Sequence, residues 1–270
     1  MKNKLPAAPY LVWMIVFILV PLIMVAYFAF TDKDGHFTLD YVSNVAQYTP
    51  IFVRSIWLAL ISTVICLLIA YPLAYILIGM NTNIQSTMLM IVMLPMWMNF
   101  LLRTYAWMAL LGNNGLINAL LGLVGLGPFK MLNTEGAVVL GMVYNYLPFM
   151  ILPIYSVMVK IDKSVLEAAA DLGCNPAKTM LKVVFPLSLP GVFSGITMVF
   201  VPAISTFIIS RMLGGGGNLL IGDLIEMQFL GNSYNINFGA AISLVLMVIV
   251  LLIMTILNQF GADDDGVMVI

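Results

Sequence analysis

The sequence predicts an all-α membrane protein with six transmembrane helices. Composition predicts the class, and apolar runs predict the helices. Of 270 residues, 62% are hydrophobic and only 9% charged, with a mean hydropathy of +1.07. A soluble domain is about a quarter charged and about half apolar. That gap excludes a soluble enzyme, a nucleic-acid binder and a disordered chain. The net charge of -1 offers no basic field to a polyanion. One His and two Cys, Cys66 in an apolar run and Cys174 in a polar loop, leave no zinc or haem ligand set, no disulfide framework and no CxxC site.

A helical span needs about 20 mostly apolar residues. Six runs qualify: 10–30, 55–79, 87–111, 137–159, 191–210 and 238–258. The first is too long, and lacks the small-residue site, for a cleaved signal peptide. Pro72, Pro95, Pro148, Pro153 and Pro202 fall inside later runs, and membrane helices tolerate them where neighbours satisfy the freed carbonyls. An N-in, C-in topology places Lys2, Lys4, Lys160, Lys163, Lys178 and Lys182 inside, with Lys33, Arg54, Lys130 and Arg211 outside. Six lysines against four basic residues follows the positive-inside rule. The chain then divides into an N-terminal stub, first span and external loop (1–54), a five-helix core (55–258) and an acidic tail (259–270) carrying Asp263–Asp265. External segments 31–54, 112–136 and 211–237 have room for interfacial helices such as Leu116–Leu123, and the glycine run 214–217 reads as a flexible external loop.

The informative stretch is the cytoplasmic loop 160–190. Ser164 and Glu167 have capping-box spacing, with Ser164 as N-cap. Val165, Ala168, Ala169 and Leu172 then form a stripe at helical spacing, and Gly173 stands where a helix C-terminus favours a left-handed residue. Asn175 caps a second helix with Pro176 in its first turn and Ala177, Met180, Leu181 and Val184 as its stripe. Pro186 is expected to end it. The first helix shows Glu167 and Asp171 on its polar side, the second Lys178 and Lys182. A compact helix-turn-helix of this kind either rests on lipid headgroups or serves as a docking knob for a soluble partner.

Glu167-Ala168-Ala169, then Gly173, then Val183-x-Phe185-Pro186 resembles the EAA loop of permease subunits in bacterial ABC importers, with Val183 and Phe185 as apolar replacements in a motif ending Ile-x-Leu-Pro. The resemblance covers about 55–258. Leu94-Pro95-Met96-Trp97-Met98-Asn99 with Arg103, Tyr146-Leu147-Pro148-Phe149-Met150, Asn218–Gly222 with Gln228-Phe229-Leu230, and Phe238–Ala241 are similar to the B-type permeases of spermidine/putrescine importers. It implies type I ABC importer permease architecture and a transport subunit without an active site. Two copies of a cytosolic ATPase would hold the ATP and Mg, and this chain would bind no cofactor. Gly214–Gly217 is indeed no phosphate loop, because no Gly-Lys-Ser/Thr follows. The remaining partners implied are a second, different permease, an external solute-binding protein, the bilayer and a polyamine. Coupling to the ATPase would run through Ser164, Glu167, Ala168, Ala169, Asp171, Leu172, Gly173, Pro176 and Pro186.

A linear polycation wants carboxylates, carbonyls and aromatic faces. Candidates for its path are Trp97, Asn99, Tyr144, Asn145, Asp223 and Glu226. Pro95, Asn99, Arg103 and Trp107 share one stripe at i, i+4, i+8 and i+12 if the third span is one helix. Arg103 would repel a polyamine and suits a structural or gating role, beside Pro95, Pro148 and Pro202. The tyrosines serve equally as interfacial belt residues, and Ser205, Thr206 and Ser210 read as packing groups. Asp223 and Glu226 make an acidic face if their segment re-enters, and solvated charges if it lies on the surface. Permeases for an opine, an aminophosphonate, thiamine or ferric ion share the same mechanistic class. A membrane-embedded hydrolase would need a Ser–His pairing that the single external His36 does not offer.

Overall fold

A computed structural model describes residues 8–231 and 233–262. Six segments are long and apolar enough to cross a membrane: five single helices and the stretch Phe100–Leu123. The chain runs through α1 (Pro9–Ala29), α2 (Thr49–Ile78), α3 (Thr82–Trp97), α4 (Phe100–Leu111), α5 (Leu116–Leu123), α6 (Glu135–Met158) and α7 (Lys163–Asp171). It continues through α8 (Pro176–Ile204), α9 (Ile208–Gly214), α10 (Ile221–Leu230) and α11 (Ile236–Ala262). Among the described residues the one β pairing is the bridge Thr31–Phe37 in the external loop.

The core is the contact of α6 with α2 and α8, flanked by α11 against α8. Its fully buried side chains include Met142, Met150, Ile151, Ile154 and Met158 from α6, Leu58 from α2 and Ile204 from α8. Lipid is as apolar as leucine, so such helices associate through close packing more than through water exclusion. Small residues allow it. A Cβ at Gly191 would stand 2.8 Å from the Pro153 carbonyl, and one at Gly195 2.7 Å from Met150 Sδ. These two glycines, four apart on α8, let its backbone lie against α6. Gly141 does the same for α9, with Leu213 Cδ1 at 2.5 Å from its would-be Cβ.

Three spans depart from the expected runs. The third is broken: α3 ends after Pro95, Met98 and Asn99 are extended with ψ of 147° and 131°, and α4 starts at Phe100. Asn99 therefore caps α4, its Oδ1 accepting from Leu101 N–H at 2.9 Å, and the single stripe from Pro95 to Trp107 does not exist. The fifth begins fifteen residues early, at Pro176 rather than 191, and stops after Ile204. Pro186 does not end a helix. It sits in the continuous α8, where Met180–Val184 widen into π geometry and Phe185 N–H reaches back to the Met180 carbonyl; the wider turn accommodates a residue with no N–H. The last helix runs to Ala262, past the expected boundary at 259. Asp263–Asp265, like Lys2 and Lys4, lie outside the described residues.

Gly191→Val should lower stability by about 1–3 kcal/mol, read as a lower melting temperature of the detergent-solubilised chain. Gly122→Val, where an added Cβ meets nothing within 4 Å, should fall by much less, and equal losses would remove the packing argument.

Candidate coupling surface and translocation face

The cytoplasmic knob is α7 and the start of α8. The N-cap of α7 is Asp162, not Ser164: its carboxylate accepts from Ser164 N–H at 3.0 Å, and that bond holds the Asp162 carboxyl below the usual range. Ser164 stands one residue inside the helix. Gly173 takes the expected left-handed turn at φ +77°. Cys174 N–H bonds the Ala169 carbonyl at 3.0 Å and Gly173 N–H the Ala170 carbonyl at 2.9 Å, a Schellman closure. Asn175 Oδ1 then accepts from Lys178 N–H at 2.8 Å, with Pro176 in the first turn.

The apolar stripe of α7 does not face the bundle. Of Val165, Ala168, Ala169 and Leu172, only Ala169 is buried, and Leu172 is 86% exposed. Glu167 and Asp171 are exposed beside it. A rigid, doubly capped helix thus presents alternating apolar and acidic groups outward, with Leu166 half-buried as its root. Behind it an open cleft of about 610 Å³ separates α7 from the α2–α3 link, lined by Met80, Asn81, Thr82, Gln85 and Lys163. Gln85 closes the base of the cleft. Its amide donates to the Met80 carbonyl at 2.8 Å, and its Oε1 accepts from Tyr155 of α6 at 2.9 Å.

On the membrane face, Trp97 is 75% exposed at the α3–α4 break, beside exposed Asn99. Tyr144 is half-buried and meets Trp107 edge-on, ring centroids 5.3 Å apart. Asn145 is buried, its amide donating to the Gly141 carbonyl at 2.8 Å, while its Oδ1 finds no partner. Pro148 is buried in an unbroken α6. Pro202 stands three residues before Ser205, where α8 ends, and Tyr146 donates to the freed Pro202 carbonyl at 3.3 Å. Arg103 is 8% exposed, lies 5.8 Å from the Phe100 ring centre, and leaves Nε and Nη1 buried without a partner.

The outer mouth is tied by charge. Arg54 of α2 pairs with Glu135 of α6 at 2.6 Å and also reaches Asn218, while Ser55 Oγ accepts from Ile221 N–H at 2.9 Å. Asp223 and Glu226 do not share an open acidic face. Asp223 is 1% exposed and accepts from Ser210 Oγ at 2.6 Å and Leu220 N–H at 2.9 Å. Burial pushes its carboxyl up. Glu226 pairs with Arg211, which holds its carboxyl down. Only the start of the glycine run is packed: Gly214 is buried and Gly215, φ +67°, would place a Cβ 2.3 Å from the Asn133 side chain, whereas Gly216 and Gly217 are exposed with nothing within 4 Å of an added Cβ. Sequence reasoning missed Asp162, Gln85 and the Arg54–Glu135 tie. Asp162, two residues before Ser164, carried a competing cap signal, whereas the other two pair residues distant in sequence.

Two measurements check these assignments. Asp162→Ala should speed amide exchange across Lys163–Asp171, and Ser164→Ala should leave it unchanged. Because the folded Asp162 carboxyl is depressed, its contribution is present above the ordinary carboxylate range and is lost as pH falls through the lowered value; protection of these amides relative to their intrinsic exchange rate should fall there in the parent chain. Asp223 has the opposite sign. Its raised carboxyl favours the folded state at low pH, and that advantage fades as pH rises through the raised value. The melting temperature of the Asp223→Asn chain should therefore change less with pH than the parent's.

Comparison with known proteins extends this geometry. Residues 35–260 match the family "Binding-protein-dependent transport system inner membrane component". The spermidine/putrescine transport system permease protein PotB of Haemophilus influenzae is 38% identical over 261 residues, covering 93% of this chain and 91% of that protein. PotB of Escherichia coli K12 is 35% identical over 247 residues, 88% and 90% of the two chains. In structure, a chain of a bacterial ABC transporter that imports the acidic polysaccharide alginate superposes with a TM-score of 0.77 at 17% identity, over 94% of this chain and 93% of that one. The match spans the whole core, from the external loop before α2 to the last turn of α11. This chain belongs to the family of inner-membrane permease components of binding-protein-dependent ABC transport systems.

Proposed function

We propose that this chain forms half of the translocation path of an ATP-driven polyamine importer. The observation that carries the reading is identity of 38% and 35% to spermidine/putrescine permeases over about nine-tenths of the chain. A second, different permease supplies the other half, and an external solute-binding protein delivers the substrate. Two copies of a cytosolic ATPase hold ATP and Mg and dock on Glu167–Leu172. The exposed Val165, Ala168 and Leu172 leave an apolar stripe free for that docking. This chain binds no cofactor of its own. Substrate passes by alternating access, meeting the Trp97 face and Asn99 at the α3–α4 break and Tyr144 and Asn145 further along. Aromatic faces attract alkylammonium groups by about 0.5–2 kcal/mol each, enough to guide a polycation without trapping it. Asp223 and Glu226 stand at the outer mouth, where opening of the Arg211–Glu226 pair frees a carboxylate for an incoming ammonium.

Three outcomes test this. Labelled spermidine uptake, in cells lacking their own polyamine importers, should require this chain, its ATPase, the second permease and ATP, and putrescine should compete. Co-purification of the ATPase without spermidine uptake would keep the importer subunit and discard the polyamine. Gly173→Val costs roughly 1–2 kcal/mol at the left-handed turn and should abolish uptake with the chain still inserted; normal uptake would sink the docking role. Replacing Asp223 and Glu226 by Asn and Gln should raise the apparent KM for spermidine, and an unchanged KM would remove both from the path.

A further inference from the structure

Hydroxyls in the spans of this chain mostly satisfy themselves. Ser62, Thr63, Thr104, Thr197 and Ser243 each donate to the carbonyl four residues earlier in their own helix, a bond always within reach of a helical Ser or Thr. Ser156 of α6 and Ser194 of α8 do not. Among the described residues neither hydroxyl has a protein partner, and both residues are exposed. A hydroxyl set among lipid tails without a hydrogen bond is costly. One that leaves its own carbonyl unused belongs where another polar group can meet it.

The two serines line one place. An open cleft of about 540 Å³ lies between α6 and α8, with Phe149, Pro153, Ser156, Gly191, Ser194 and Met198 among its walls. Gly191 is buried, and a Cβ there would stand 2.8 Å from the Pro153 carbonyl, so the two backbones meet at the floor. Two further acceptors come from proline. Pro153 has no N–H to offer the Phe149 carbonyl, and Pro202 none to offer that of Met198. Both carbonyls belong to residues of the cleft wall, and no charged side chain lines it.

Hydroxyl and carbonyl oxygens accept from N–H donors, the Phe149 ring can attract an alkylammonium, and a cleft of this size suits a small ligand. Without a carboxylate the hold is loose, as a cation in passage requires. A lipid tail would use none of these groups. We propose that the α6–α8 cleft is a further subsite for the polyamine in transit, with Ser156, Ser194 and the carbonyls of Phe149 and Met198 accepting from its N–H groups. This deepens the polyamine reading above and rests on it.

The test uses the full transporter with the free thiols Cys66 and Cys174 replaced. With Ser156→Cys or Ser194→Cys added, a charged, water-borne thiol reagent should modify the new thiol. Excess spermidine should slow that reaction several-fold, and sodium chloride of equal ionic strength should not. In the parent background, Ser156→Ala with Ser194→Ala should raise the apparent KM for spermidine about tenfold, because two hydrogen bonds are lost, with the melting temperature unchanged. Ser156→Thr with Ser194→Thr keeps both hydroxyls and should recover most of the affinity. If neither thiol reacts, the cleft is closed to water. If spermidine gives no protection, or the alanine pair keeps the parental KM, the cleft holds no substrate. Each of these results overturns the proposal. If the parent transporter takes up no spermidine, the polyamine reading itself fails, and that outcome is distinct.

Discussion

In a bilayer each main-chain N–H and C=O must find a partner within protein or water, and an orphan costs several kcal/mol. A chain with thirteen prolines, several of them inside its spans, meets that demand case by case. Tyr146 reaches across from α6 to the carbonyl of Pro202, which the end of α8 after Ile204 leaves without a partner in the helix. The π turn at Met180–Val184 takes in Pro186 without breaking α8. At the third span the helix stops two residues after Pro95, and Asn99 recaps the next one. The first two solutions are internal and leave a stiff rod. The third exposes backbone, and for that reason it marks a face that needs covering.

Close packing then sets what can move. Gly191 and Gly195 lock α8 onto α6, and Gly141 locks α9 to the same helix, so α6, α8 and α9 form one block. The outer ties, Arg54 to Glu135 and Ser55 to Ile221 N–H, join α2 to that block. By contrast α3, with no buried residue, is held at its cytoplasmic end by Gln85 bonding both the α2–α3 link and Tyr155 of α6. Rigid block and loosely held broken span are the two mechanical parts of the subunit.

Where local chemistry was unambiguous, the sequence spelled out the structure. Gly173 follows an apolar stripe and takes the left-handed turn; Asn175-Pro176 starts a helix. Where two local signals compete the sequence is ambiguous: Asp162 and Ser164 are both good caps, and the helix starts from Asp162. Pro186 was misleading because proline normally ends a helix, and nothing local announces a π turn that absorbs it. The break at Met98–Asn99 was hidden by the apolar run that contains it. Asp223 reads from the sequence as either part of a re-entrant acidic face or a solvated charge, because its burial depends on Ser210 and on the fold of α9 against α10. These misses share a cause: each depends on a partner distant in the chain or on a choice between equal local options.

The coupling geometry follows from the one helix that was longer than expected. With α8 continuous from Pro176, the Schellman turn at Gly173 joins the exposed α7 directly to a rod of 29 residues, about 43 Å long. α8 carries the π turn at Met180–Val184 and Pro190 on the way to Pro202, and Gly191 and Gly195 hold it against α6 just beyond them. The rod ends where Tyr146 grips the Pro202 carbonyl, and the chain then turns through Ser205–Phe207 into α9, which carries Ser210 and Arg211, the partners of Asp223 and Glu226. On the proposed importer reading, a push at α7 would reach the charged outer mouth as a movement of α9 against α10. A separate second helix in the loop, ending at Pro186, would have stopped the same push at the membrane surface.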